Sequence, residues 1–136
     1  MLAHYINNEE YTNEILNGDI HTHNQSLAGL SSRDQAKTFI YAFLYGAGNA
    51  KLGSVAGGSG KLGGKLKLQF LDALPELKHL QDRIKKSCAS GKIRGLDGRL
   101  INVRSPHAAL NTLLQSAGSI VMKLALVIAE EMLYHT

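Results

Sequence analysis

Cysteine occurs once in this chain, proline twice and tryptophan not at all. No long apolar run is free of charge. Each shortage excludes something. The lone Cys88 has no second cysteine to pair with, so no internal disulfide holds the fold, and a reducing, intracellular setting is the default. It reads as a small residue near a helix end. The richest apolar run, Ile120 to Ile128, is broken by Lys123 and is too short to span a bilayer. The start, MLAHYINNEE, lacks a basic segment followed by an apolar one, so no signal peptide is expected. With 44% hydrophobic residues, the 136-residue chain is neither disordered nor membrane-like by composition. Its length suits one domain with a real core.

The net charge of +4 is unevenly placed. Before Lys51, Glu9, Glu10, Glu14, Asp19 and Asp34 stand against Arg33 and Lys37. From Lys51 to Arg104 twelve Lys or Arg face only Asp72, Glu76, Asp82 and Asp97. Such a block suits a polyanion partner as well as it suits a solvated surface.

The helix signals run almost the length of the chain. One helix is expected over Asn8 to Leu16, stopped by Asn17-Gly18, and a second begins at the cap Asp19 and ends near Gly29. His21 and His23 are two apart and face different ways on a helix, so no metal pair is expected there. NAKLGSVAGGSG, followed by Lys61, invites a phosphate-loop reading, but Val55 and Leu62 stand where that motif needs Gly and Ser or Thr. A short helix, about Ala50 to Ala56, and a glycine-rich joint remain. Helices over Lys61 to Leu74 and from Pro75 to Gly91 follow. Gly63 and Gly64 weaken the first by about 1 kcal/mol each, and proline favourably starts the second. KIRGLDGRLINV reads as a hairpin around Asp97-Gly98, with Arg94, Arg99 and Arg104 facing either a nucleic-acid backbone or solvent. Ser105-Pro106 starts a last long helix whose part from Ala117 to Tyr134 reads as buried.

The most informative stretch is Ser31 to Gly48, SSRDQAKTFIYAFLYGAG. Ser31 or Ser32 can cap it, and Gly46 and Gly48 stop it. Ala36, Phe39, Ile40, Phe43 and Leu44 supply a face to bury. Arg33, Lys37, Tyr41 and Tyr45 recur every four residues and form one stripe. Two cations a turn apart repel by a few tenths of a kcal/mol, which an anion between them would offset. A polyphosphate along the stripe, with a flat base or sugar against a ring, is the natural ligand. The plainer reading of the stripe alone is an amphipathic helix with a solvated cationic edge.

Arg33-x3-Lys37-x3-Tyr41-x3-Tyr45-Gly46 resembles the nucleotide-binding fingers helix of family A (polymerase I-like) DNA polymerases, and RDQAKTFIYAFLYGAG resembles their phage replicative branch. A second stretch, HAALNTLLQSAG, resembles another recurrent segment of that branch. The resemblance implies a mainly α fingers subdomain with one small hairpin and a long palm-proximal C-terminal helix. It divides the chain into N-terminal helices (1–30), fingers with hairpin (31–104) and the long helix (105–136).

It also implies roles. Arg33 and Lys37 bind the triphosphate, and Lys37 is placed to donate a proton toward the leaving pyrophosphate as the catalytic residue. Tyr41 stacks on the incoming nucleotide, and His21, in Asp-Ile-His-Thr, supports the phosphates. Tyr45 and Gly46 lie at the templating base. His107, Asn111 and Gln115 recur every four residues, and the two amides contact the minor-groove edge of the primer–template, whose acceptors are alike in every correct pair. Ala42, where many relatives have glycine, slightly crowds the templating pocket.

The partners implied are primer–template DNA, a deoxynucleoside triphosphate and palm-bearing polymerase segments, with no membrane, in the cytoplasm (the host's, if phage-encoded). Mg²⁺ is expected for the complete polymerase, but neither metal-binding aspartate motif is matched in this chain, so activity alone is not expected. The chain reads as a fragment, a split-gene product or an excised module. The alternative is a non-catalytic helical module that binds nucleic acid or a partner protein through the basic block.

Overall fold

The computed structural model describes residues 1–134. Eight α-helices and one two-stranded hairpin follow in order: α1 (Leu2–Ile6), α2 (Glu9–Asn17), α3 (Ile20–Ala28), α4 (Arg33–Leu44), α5 (Asn49–Val55), α6 (Gly60–Ala73), α7 (Pro75–Ser87), β1 (Lys92–Arg94), β2 (Leu100–Asn102) and α8 (Ala109–Tyr134). Short 3-10 turns at Cys88–Ser90 and Pro106–Ala108 precede β1 and α8. The mainly α architecture with one hairpin and a long last helix is the one expected.

Local chemistry sets most of these boundaries. Asn8 accepts the Tyr11 amide at 2.8 Å to open α2, and Asp19 accepts those of His21 and Thr22 to open α3. Ser32 accepts the Gln35 amide at 3.2 Å to open α4. Each cap satisfies a donor that the helix itself leaves without a partner. Ser105 caps a 3-10 turn and not the α-helix, which begins only at Ala109.

The core gathers one face from most helices. Phe39, Leu52, Phe70 and Leu77 are essentially fully buried. Phe43 and Phe70 meet edge-to-face, centroids 5.6 Å apart at 79°, a geometry worth about 0.5–1.5 kcal/mol beyond the area it buries. Helices α5 and α6 pack backbone against backbone. A Cβ on Gly53 would collide with the Ser59 carbonyl oxygen, and one on Gly63 with that of Asn49. Gly63 therefore lowers helix propensity but lets the α6 backbone lie directly against that of α5.

In the hairpin, Lys92 pairs with Asn102 and Arg94 with Leu100. The connection spans residues 95–99 and not two residues. The Gly98 amide donates to Gly95 O at 3.1 Å, and Gly98 adopts the left-handed φ of 86° that lets the chain turn back.

The last helix departs from expectation. Ala109, Leu110, Leu113, Ala117 and Ile120 are buried, but every residue from Val121 to Tyr134 is exposed. Apolar composition marks a surface that favours cover, but among the described residues only the hairpin loop approaches this half, where Asp97 and Arg99 lie beside Lys123, Leu124 and Val127. Nor is the helix short. Pro106–Tyr134 is 29 residues with a mean hydropathy of 1.7 over its most apolar window, long and apolar enough by length and composition to cross a bilayer. A helix covered by protein can have the same length and composition.

Candidate functional site

Helix α4 presents its stripe as its pattern dictates. Ala36, Phe39, Ile40 and Phe43 turn inward, leaving Arg33, Lys37, Tyr41 and Tyr45 exposed, with the two rings about half accessible. Tyr45 ends the helix as its C-cap. Asp34, Lys37, Thr38, Tyr41, Ala42 and Tyr45 line a shallow groove of about 500 Å³ along this face. The Lys37 ammonium makes no ion pair or hydrogen bond among the described residues.

Arg33 differs from the free cation that the spacing suggests. Its Nε donates to Asp19 Oδ2 at 2.6 Å and its Nη2 to Asp19 Oδ1 at 3.2 Å. This two-pronged pair joins the N-termini of α3 and α4. The guanidinium, together with the Thr22 hydroxyl and the His21 and Thr22 amides, holds the Asp19 carboxyl well below the usual carboxylate range. Asp19 in turn raises the Arg33 value. Because Asp19 neutralises Arg33, Lys37 carries the net positive charge of the stripe.

His21 does reach the stripe. Its ring lies 6.3 Å from that of Tyr41, tilted at 48°, and its Nδ1 is shielded from solvent without a hydrogen-bond partner among the described residues. A buried ring nitrogen left unpaired is uncommon and favours a ligand or water that satisfies it.

A second patch forms where α4 ends against the start of α8. Gly46 has a φ of 82°, and a Cβ there would strike the carbonyl oxygen of His107. Gln115 Nε2 donates to the Tyr45 hydroxyl at 3.3 Å. Tyr45, Gly46, His107 and Gln115 are thus one surface, with Asn111 half-buried one turn from both His107 and Gln115. Beside it opens a cleft of about 330 Å³ lined in part by Gly46, Gly48, Asn49, Lys67, Lys85 and His107. The basic block in the sequence announced cations, but only the packing of α6 and α7 selects Lys67 and Lys85 for this cleft. The hairpin arginines are less available than expected. Arg99 pairs with Asp97, Nη2 to Oδ2 at 2.7 Å, and Arg94 Nη1 donates to Gly98 O at 3.1 Å.

Among the described residues no three His, Cys, Asp or Glu side chains gather as metal ligands. The described residues therefore offer no cluster that fits a Mg²⁺ pair.

No protein-family model matches the chain. It is 48% identical over 150 residues to the DNA-directed DNA polymerase of Enterobacteria phage T3, and likewise to that of Escherichia phage T7. Each alignment takes in 97% of the chain. With the DNA-directed DNA polymerase of Escherichia phage Phieco32 it shares 51% identity over 123 residues, 85% of the chain. The chain spans about a fifth of the length of these relatives. It thus resembles one segment of phage DNA-directed DNA polymerases.

Proposed function

We propose that the chain is the nucleotide- and primer–template-binding portion, the fingers and adjoining helix, of a family A DNA polymerase. The observation that carries this reading is the exposed row Arg33, Lys37 and Tyr41 with His21 turned toward Tyr41, in a chain nearly half identical to a segment of phage polymerases.

In this reading Lys37 and the outer edge of Arg33 bind the triphosphate, and Tyr41 stacks on the base or sugar. His21 donates to a phosphate oxygen. Lys37 is the proton donor toward the leaving pyrophosphate. Charged donors at a transferring phosphoryl group contribute several kcal/mol to transition-state stabilisation. A tyrosine and not a phenylalanine at position 41 implies weak discrimination against dideoxynucleotides. Tyr45 and Gly46 border the templating base, and Asn111 and Gln115, with His107, meet the minor-groove edge of the primer–template. Helix α4 acts as a lid that swings inward on a correct pair.

The complete enzyme adds a deoxynucleotide to a primer 3′-OH with Mg²⁺, and the carboxylates for that metal must come from elsewhere. The test is primer extension with Mg²⁺, first by the chain alone and then with palm segments that supply two aspartates. Activity only in the mixture, abolished by Lys37→Ala, is the expected result. Activity from the chain alone would refute the dependence on outside carboxylates. No activity in either, with DNA binding steep in salt and indifferent to Lys37, would mean a plain basic module.

A further inference from the structure

The site contains a carboxylate that an anion-binding surface would be expected to avoid. Asp19 sits between its two phosphate-facing elements. Its Oδ1 accepts the His21 amide at 3.0 Å, the Thr22 amide at 3.4 Å and Arg33 Nη2 at 3.2 Å. Its Oδ2 accepts Arg33 Nε at 2.6 Å and the Thr22 hydroxyl at 3.0 Å. Five donors converge on one side chain.

We propose that Asp19 is a positioning residue of the nucleotide site: by holding one edge of the Arg33 guanidinium while closing the turn that carries His21, it sets the geometry of both phosphate-facing groups. The proposal rests on the nucleotide reading above.

Three facts support it. A guanidinium carries five N–H donors in a fixed fork. Asp19 uses the Nε–Nη2 edge, so the Nη1–Nη2 edge stays free for a phosphate, which takes two parallel N–H bonds. The pair is also half exposed, at 50% and 43% for the two side chains, and exposed ion pairs contribute little to folding. Its main physical consequence is therefore orientation: a long, rotamer-rich side chain is ordered before the ligand arrives, which lowers the entropic cost of binding. Finally, the same carboxylate fixes the first turn of α3, so His21 and Arg33 are referred to one anchor although twelve positions separate them in sequence.

Asp19 also repels a polyphosphate directly, so a single substitution would mix two opposing effects. A double-mutant cycle separates them, because the direct repulsion is common to both arms and cancels. Asp19→Asn keeps a good N-cap acceptor but turns N–H groups toward the guanidinium and releases it. Inorganic tripolyphosphate and a deoxynucleoside triphosphate would each be titrated calorimetrically into the parent chain, Arg33→Ala, Asp19→Asn and the double variant.

The expected result is that Arg33→Ala weakens binding at least tenfold in the parent and less than threefold in the Asp19→Asn background. The Arg33 Nε–H nuclear magnetic resonance signal should also shift and broaden in Asp19→Asn without ligand. Equal loss in both backgrounds would overturn the proposal and leave Asp19 as a helix cap. Tighter binding in Asp19→Asn with the full Arg33 effect retained would overturn it too, making Asp19 a competitor of the phosphates. If the parent binds neither ligand, the nucleotide reading itself fails, and this proposal with it.

Discussion

Gln115 Nε2 donates to the Tyr45 hydroxyl at 3.3 Å, joining two residues 70 positions apart. Together with Gly46 pressed against the His107 carbonyl, this contact makes the end of α4 and the start of α8 a single wall. The lid motion proposed for α4 would turn about this wall. Both partners of the hydrogen bond are exposed, so its net worth is at the low end for such bonds, about 0.5 kcal/mol. Tyr45→Phe and Gln115→Ala should each lower the urea midpoint slightly. The double variant should lose no more than the larger single effect.

Gly46→Ala should cost about 2 kcal/mol or more. The left-handed backbone penalises any Cβ, and here the Cβ also meets backbone that cannot yield. Gly57 provides the control, with a φ of 76° and nothing within 4 Å of an added Cβ. Gly57→Ala should cost only about 1 kcal/mol, so the difference in thermal stability between the two variants isolates the close approach to His107.

Lys37→Ala should leave folding within about 0.5 kcal/mol, as expected for an exposed side chain without partners. It should weaken triphosphate binding by about 10- to 100-fold, the range for hydrogen bonds to charged groups. Thermal melts and nucleotide titrations on the same sample check both halves.

The Asp19 carboxyl titrates below its ordinary value because Arg33 and three further donors favour its ionised form. A group depressed in the folded state contributes stability that is fully present above the unfolded value, near pH 4. That stability is lost as pH falls through the folded value. Because the pair is exposed and contributes little, Asp19 should add only a small fall in melting temperature on acidification below about pH 4. Asp19→Asn should flatten this part of the profile while leaving the neutral-pH cap intact.

Leu126 and Leu133 are 63% and 77% exposed on the outer half of α8. A surface this apolar promotes self-association. Sedimentation velocity should show a coefficient that rises with concentration for the parent and a nearly constant one for Leu126→Gln/Leu133→Gln. Thermal stability should be unchanged, since neither side chain contributes to the core.

Much of the fold was legible because its signals are local. Asn8, Asp19 and Ser32 open helices by reaching amides two or three residues ahead, and such distances are visible in sequence. The Arg33–Lys37–Tyr41 row follows from helical spacing alone. The Asp97-Gly98 turn was legible as a hairpin but not in length, because the loop closes through Gly95 and Arg99, where the sequence carries no distinctive signal. Gly63 read as a weakness until α5 was seen lying against it.

By itself the sequence determined where α2, α3 and α4 begin, which side of α4 is buried, and that Arg33, Lys37 and Tyr41 share one stripe; His21 joined them through the family resemblance. Caps and periodicity act over a few residues, so a linear reading captures them. The tertiary structure alone decided that Arg33 is held by Asp19 while Lys37 has no partner among the described residues, that Lys67 and Lys85 face the cleft beside Gly46, and that Ile120 is the last buried residue of α8. Those outcomes depend on which distant segments arrive beside a residue. A charge or an apolar surface carries no local mark of its eventual neighbour.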